Sequence, residues 1–199
     1  MRIATERLIL REFREDDWPA MHAYWADPRY QRFNPEVEDI EHAVRALIGR
    51  FVRAQTMEPR RQWQLAIIAR LDGRLIGNCG IRVNDPVQRE ANIGYEFDPD
   101  VWARGFATEA ARAIVGFGFD ELGLHRVWAE CVADNAGSAR VLEKLGMRRE
   151  GHFHQHRWFQ GRWWDTLIYA ILNHEWRRAS NEPSSSVLRA TSAIEATPY

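Results

Sequence analysis

Apolar positions in this chain change their spacing several times, and each change marks a new element. Leu8-Ile9-Leu10 is a short apolar run that predicts a first strand. Asp16-Asp17-Trp18-Pro19 then sets cap residues ahead of an early proline, which starts a helix that Asp27-Pro28 ends. Between about residues 39 and 55, Ile40, Val44, Leu47, Ile48, Phe51 and Val52 recur at the interval of one helical face, with charge on the other. From Gln62 the period shortens. Trp63, Leu65, Ile67 and Ile68 predict a strand, Asp72-Gly73 a hairpin turn, and residues 75–83 its partner. Another strand covers about 91–97.

A helix follows from Gly105 to about Asp120. Ala107, Ala110, Ala111, Ile114, Val115 and Gly118 lie along one side of it, small residues that allow close approach to a sheet. Residues 125–132 form the next strand. Asp134-Asn135 supplies cap chemistry for a helix with apolar face Val141, Leu142 and Leu145, stopped by Gly146. Two last strands flank the Gln160-Gly161 turn and end near Leu172. Beyond Trp176 the chain is Ser-, Thr- and Ala-rich, so residues 179–199 are expected to be a disordered tail behind one domain over 1–178. The order β-α-α-β-β-β-α-β-α-β-β is that of an α+β, mixed-sheet domain.

Charge adds exclusions. The 27 basic and 28 acidic side chains among 199 residues are interspersed and give a net charge of −1, so neither nucleic acid nor a membrane surface is an expected partner. Cys79 and Cys131 lie inside apolar runs without a CxxC neighbour and read as buried reduced thiols, consistent with an unexported, cytoplasmic protein.

The candidate chemistry centres on Trp102-Ala103-Arg104-Gly105-Phe106-Ala107-Thr108-Glu109, where a strand is joined to a helix by a glycine turn. Such a turn points free backbone N–H groups and the positive end of the helix dipole at one spot, a ready-made phosphate site. It lacks both the Gly-x-x-x-x-Gly-Lys-Ser/Thr pattern of NTPases and the Gly-x-Gly-x-x-Gly dinucleotide pattern. Ligands carrying a pyrophosphate without a required metal remain, coenzyme A foremost. On the pattern alone, a plain structural joint is an equal reading.

Taken together, Gly94-Tyr95-Glu96-Phe97, the Trp102 to Ala110 segment, and Asn135-Ala136-Gly137-Ser138 leading to Glu143-Lys144-Leu145-Gly146-Met147 resemble the Gcn5-related N-acetyltransferases (GNAT), and within them the RimJ/RimL-type branch. The resemblance implies a twisted mixed sheet of about seven strands, flanked by about four helices and splayed where acetyl-CoA lies. It implies that Phe97, Trp102, Arg104, Gly105, Phe106, Ala107 and Thr108 contact the cofactor, with the pyrophosphate on the turn. It places Asn135, Ser138 and Lys144 toward the rest of the cofactor. Asn135 and Ser138 also suit helix capping, so a dual role is expected of both, while the helix dipole explains Lys144 equally well.

Acetyl transfer needs a neutral amine, a polarised thioester and a proton for the departing thiolate. Glu96, at the end of the splayed strand, is the candidate base, or an electrostatic hook for an ammonium; Ser138 is the proton donor the resemblance implies. Tyr95, Glu36, His154 and Asp165 are candidates for binding the acceptor amine. A protein N-terminal α-amine, with a reference pKa of about 7.7–8, asks less of a base than a lysine at about 10.4. The alternatives are a small amine such as a polyamine, aminoglycoside or amino acid, and a non-catalytic acyl-CoA-binding module. His152, His154 and His156 alternate and would share a strand face, but no upstream Cys/His pair completes a zinc set, so no metal is expected. A monomer or a homodimer fits equally.

Overall fold

In the computed structural model, which describes residues 1–181, strand alternation sorts neighbouring residues into separate cores. Leu65 and Ile67 join one apolar cluster while Ala66, between them, joins another on the opposite face of the sheet. The strands are β1 (Arg2–Ala4), β2 (Leu8–Glu12), β3 (Gln62–Ala69), β4 (Leu75–Asp85), β5 (Glu90–Phe97), β6 (Arg126–Val132), β7 (Arg148–Phe159) and β8 (Arg162–Leu172). They form one sheet in the order β1-β2-β3-β4-β5-β6-β8-β7. Every neighbouring pair is antiparallel except β5 and β6.

Helices cover both faces. On one side α1 (Trp18–Trp25), α2 (Pro28–Gln31) and α3 (Ile40–Ala54) bring Met21, Tyr24, Tyr30, Val44, Ile48 and Phe51 together with Phe13 and Ala66. On the other, α4 (Phe106–Asp120) and α5 (Ala136–Lys144) bury Ala110, Ala111, Ile114, Val115 and Leu142 against the sheet. The small stripe on α4 is used as its composition implies: a Cβ built on Gly118 would stand 2.7 Å from Ile81 Cδ1, so only glycine lets the helix sit this close.

The mixed-sheet fold is as expected, and its element counts run slightly above the approximate ones. The sheet has eight strands rather than about seven, because β1, with only Ile3 to bury, is too short to leave a hydrophobic period. There are six helices among the described residues rather than about four. One of the extra helices is the single turn of α2, started by Asp27, whose carboxylate caps Arg29 N–H at 2.8 Å. The other is α6 (Asn173–Asn181), which runs past the expected start of the tail at 179. Trp176 anchors it, buried with its ring 6.0 Å from that of Phe119, and Asn173 Nδ2 donates to Leu124 O at 3.1 Å. The rest of the expected tail lies outside the described residues.

Candidate active site

β5 and β6 pair only over Glu90–Asn92 with Arg126–Trp128. Beyond that each keeps its other partner, β5 following β4 to Phe97 opposite Gly77 and β6 following β8 to Val132 opposite Thr166. The sheet therefore splits at the ends of β5 and β6. A cavity of about 630 Å³ passes through the split. Because strand neighbours face opposite ways, Tyr95 and Phe97 point toward the α4 and α5 side and Glu96 toward α1 and α2, yet all three line the one cavity.

The end of the cavity on the α4 side is the glycine turn. Gly105 is the N-cap of α4 at φ +82°, a conformation that favours glycine, and Ala103 precedes it at φ +61°. No side chain caps the helix, and its first hydrogen bond runs from Glu109 N–H to Gly105 O at 3.1 Å. The leading amides are thus left for a ligand. Arg7 braces the turn from β2's approach: its Nε donates to Glu109 Oε2 at 2.7 Å, its Nη1 donates to Arg104 O at 2.9 Å, and its guanidinium lies over the Phe106 ring at 4.6 Å. Burial opposes ionisation of Glu109, but hydrogen bonds from Thr5 and from Arg7 outweigh it and hold the carboxyl below its ordinary pKa. A cation is therefore fixed beside the helix start, and Arg140 and Lys144 line the same cavity. The whole arrangement suits a pyrophosphate.

At the opposite end, Glu96 is held by four donors. Oε1 accepts from Tyr24 Oη at 2.9 Å, Trp25 Nε1 at 3.0 Å and Asn78 Nδ2 at 2.5 Å, and Oε2 accepts from Tyr30 Oη at 2.5 Å. Behind them Gln64 Nε2 donates to Asn78 Oδ1 at 2.6 Å, so the buried amides are themselves partnered. Burial first, and then the Glu96 carboxylate, push both phenols well above the usual tyrosine range, which keeps them as O–H donors. The carboxylate is immobilised, with Oε2 the less occupied oxygen. Phe33 and Asn34 complete this wall, and Gln160, at the tip of the β7–β8 hairpin, closes it by donating to Gln31 O at 2.7 Å and Asn34 O at 2.9 Å.

Between the two ends, the Tyr95 hydroxyl reaches across the split to Ser138, 3.1 Å from its carbonyl oxygen and 3.0 Å from Oγ. Asn135 caps α5, its Oδ1 accepting from Ser138 N–H at 3.0 Å, so its capping role is present and it lines the cavity as well. Tyr169, by contrast, is buried and donates to Glu143, away from the cavity.

The structure thus gathers Tyr95, Glu96, Phe97, Trp102, Gly105, Phe106, Ala107, Thr108, Asn135, Ser138 and Lys144 around one cavity. Arg104 is outside its lining, with its carbonyl turned to Arg7. Glu36 lies exposed in the loop before α3, where Asp39 is simply the N-cap, accepting from His42 N–H at 2.9 Å. His154 and Asp165 also lie outside the lining, and the expected shared face of three histidines is corrected. A bulge between Phe153 and Arg157, with Gln155 at φ +47°, sends His156 to Thr166 while His152 and His154 both meet Asp165. The Gln155 backbone N–H foremost, then the two imidazoles, hold the Asp165 carboxyl down at about 2. Tyr24, Trp25, Tyr30, Asn78 and Gln160 escaped the sequence reading, because aromatic and amide residues in helices and strands carry no motif of their own. Both cysteines are buried and unpaired, with burial pushing the Cys79 thiol up to about 12 and the Cys131 thiol up to about 11.

Comparison with known proteins agrees with this geometry. The family model described as an acetyltransferase (GNAT) domain matches residues 7–148. The uncharacterized N-acetyltransferase YnaD of Bacillus subtilis (strain 168) is 36% identical over 176 residues, 88% of this chain and 99% of its own. A solved GNAT-family acetyltransferase from Bacillus anthracis superposes with a TM-score of 0.76 at 33% identity, covering 87% of this chain and 99% of that one. The fold is also that of RimL, a ribosomal L7/L12 alpha-N-protein acetyltransferase solved in complex with coenzyme A, at 18% identity with a TM-score of 0.75 over 86% of this chain and 98% of that one.

Proposed function

Because the chain belongs to the GNAT acetyltransferase family and is an acetyl-CoA-dependent N-acetyltransferase, we propose that it passes the acetyl group directly to a primary amine in one ternary complex, and that the amine is the α-amine of a protein N-terminus. The observation that carries this reading is the position of Glu96, a carboxylate fixed by four donors at one end of a cavity whose other end is the Gly105 turn. An acceptor entering as an ammonium meets an anion there, and the thioester of a cofactor seated on the turn lies between them.

In the reaction, the ammonium loses a proton toward Glu96 Oε2, directly or through a water. The neutral nitrogen attacks the acetyl carbon, the C–S bond breaks, and the Ser138 hydroxyl, oriented by Tyr95, hands a proton to the departing sulfur while the second proton that the nitrogen sheds on becoming an amide passes through water to restore the serine. A thiol with a pKa of about 8.5 needs only this modest help. No step requires a metal. An N-terminal α-amine fits a fixed carboxylate with little spare hydrogen-bonding capacity, because about a tenth of it is already neutral at pH 7. The RimJ/RimL-type branch fits the same reading, since RimL shares this fold and its name gives it an α-N-protein acceptor.

One observation favours a second reading. The Gln160 bridge to Gln31 and Asn34 walls the acceptor end, which suits a slender small-molecule amine as well as a peptide end threaded inward. Thiol release from acetyl-CoA, measured over peptides with free N-termini, N-blocked lysine peptides and small amines, tests both. Turnover confined to free N-termini supports the first reading. Turnover confined to polyamines, aminoglycosides or amino acids replaces it with the second.

A further inference from the structure

We propose that His152, His154 and Asp165 form a binding site for a zinc-class divalent ion on the β7–β8 hairpin, separate from the transfer chemistry. His152 Nε2 and His154 Nδ1 stand 2.7 Å and 2.9 Å from the same oxygen, Asp165 Oδ2, and the three ligand atoms all lie within 4.8 Å of one another. Zinc bonds of about 2.0–2.2 Å in tetrahedral geometry separate neighbouring ligands by about 3.3 Å. An ion seated among these atoms therefore asks for shifts well within reach of exposed side chains.

The local backbone builds this arrangement. On a regular strand His152, His154 and His156 would stand in a row one pleat apart. The bulge breaks the row, with Gln155 in a left-handed conformation that side-chain-bearing residues seldom adopt, and brings the first two imidazoles to 4.2 Å between ring centroids. The same Gln155 donates its backbone N–H to Asp165 Oδ1 at 2.8 Å, fixing the carboxylate so that Oδ2 faces the imidazoles. That is the outer-shell support that metal-ligating carboxylates use. Asp165 is in turn anchored through its carbonyl, which accepts from Ala133 N–H at 3.0 Å.

Both imidazoles become ligands by a tautomer shift that moves the proton to the ring nitrogen facing away from Asp165, with no change of charge. Two imidazoles and a carboxylate select zinc, cobalt, nickel or copper over magnesium or calcium, and leave one position for water. The buried thiols are poor competitors, and residues 182–199 contain neither histidine nor cysteine.

The test is titration of the untagged full chain, stripped with chelator, with Zn²⁺ by calorimetry and with Co²⁺ by visible absorption. One ion per chain is expected, with a rise in unfolding temperature on adding Zn²⁺. Because even outer-shell partners of metal ligands are worth about 10–100-fold in affinity, H152A or H154A alone weakens binding at least about tenfold. The double variant loses the ion, and H156A keeps it. Failure of the wild-type chain to bind either ion, or undiminished binding in the double variant with its fold intact by circular dichroism, overturns the proposal.

Discussion

The Tyr95 hydroxyl lies 3.0 Å from Ser138 Oγ, joining β5 to α5 across the split in the sheet. Tyr95 is pushed above the usual tyrosine range, by burial first, so it remains a donor. When Tyr95 gives its proton to Ser138 O, Oγ keeps its own for the cavity. Ser138→Ala should therefore lower kcat by about 10²-fold while leaving the dissociation constant for CoA little changed. Tyr95→Phe should cost less, since the serine proton survives but loses its orientation. Single-turnover kinetics separate the two, and an unaltered chemical step in Ser138→Ala would leave Ser138 only a structural residue.

Glu96→Gln removes the anion and brings an amide N–H₂ among the donors that surround the carboxylate. It should spare CoA binding and reduce kcat/KM for the amine by about 10²-fold. Tyr30→Phe leaves the charge and frees Oε2, so a smaller loss is expected. Turnover by Glu96→Gln matching wild type across neutral pH would show that the carboxylate neither takes the proton nor holds the ammonium.

Gly105→Glu sets a side chain with a negative charge in a left-handed N-cap at φ +82°, beside the leading amides of α4. Loss of CoA binding is expected in equilibrium dialysis. Gly105→Ala isolates the backbone term: its Cβ meets only Arg7 Nη2, at 3.4 Å. That variant should bind CoA weakly and lose about 1 kcal/mol of stability. Wild-type CoA affinity in the glutamate variant would move the pyrophosphate away from the turn.

The Arg7 and Glu109 pair fixes the pH range of one contribution to stability. Burial raises the Glu109 pKa, but the bonds from Thr5 and Arg7 lower it further, so the folded value lies below the unfolded one. The pair stabilises fully above the unfolded value of about 4.3 and is lost as pH falls through the folded value. Denaturation midpoints of wild type and Glu109→Gln should differ at pH 7 and converge on acidification. A gap constant down to pH 3 would contradict the pairing.

Much of this molecule is legible in one dimension, because local backbone geometry leaves a local trace. The period of 3.6 along α3, the small stripe on α4, the Asn135 cap and the Gly105 turn each follow from a few consecutive residues. The Gly105 end of the cavity is of this kind: backbone amides at a helix start need only the turn and the helix. Where an element is short and is held by residues distant in the chain, as with β1, α2 and α6, no period forms to be read.

The Glu96 end is of the other kind. Glu96 can be picked out by its place at the end of β5, but Tyr24, Trp25, Tyr30 and Asn78 reach it from 71 or 72, 66 and 18 residues away, and Gln160 closes the wall onto Gln31 and Asn34 over more than 120. The shift of His152 and His154 onto Asp165 depends on a bulge that strand periodicity does not encode. By itself, then, the sequence determined the longer elements and the Gly105 turn, since both rest on backbone geometry over a few residues. Only the tertiary structure decided how Glu96 is held, how that end of the cavity is walled and which histidines converge, because side chains far apart along the chain meet only once the sheet has split and the helices have closed on it.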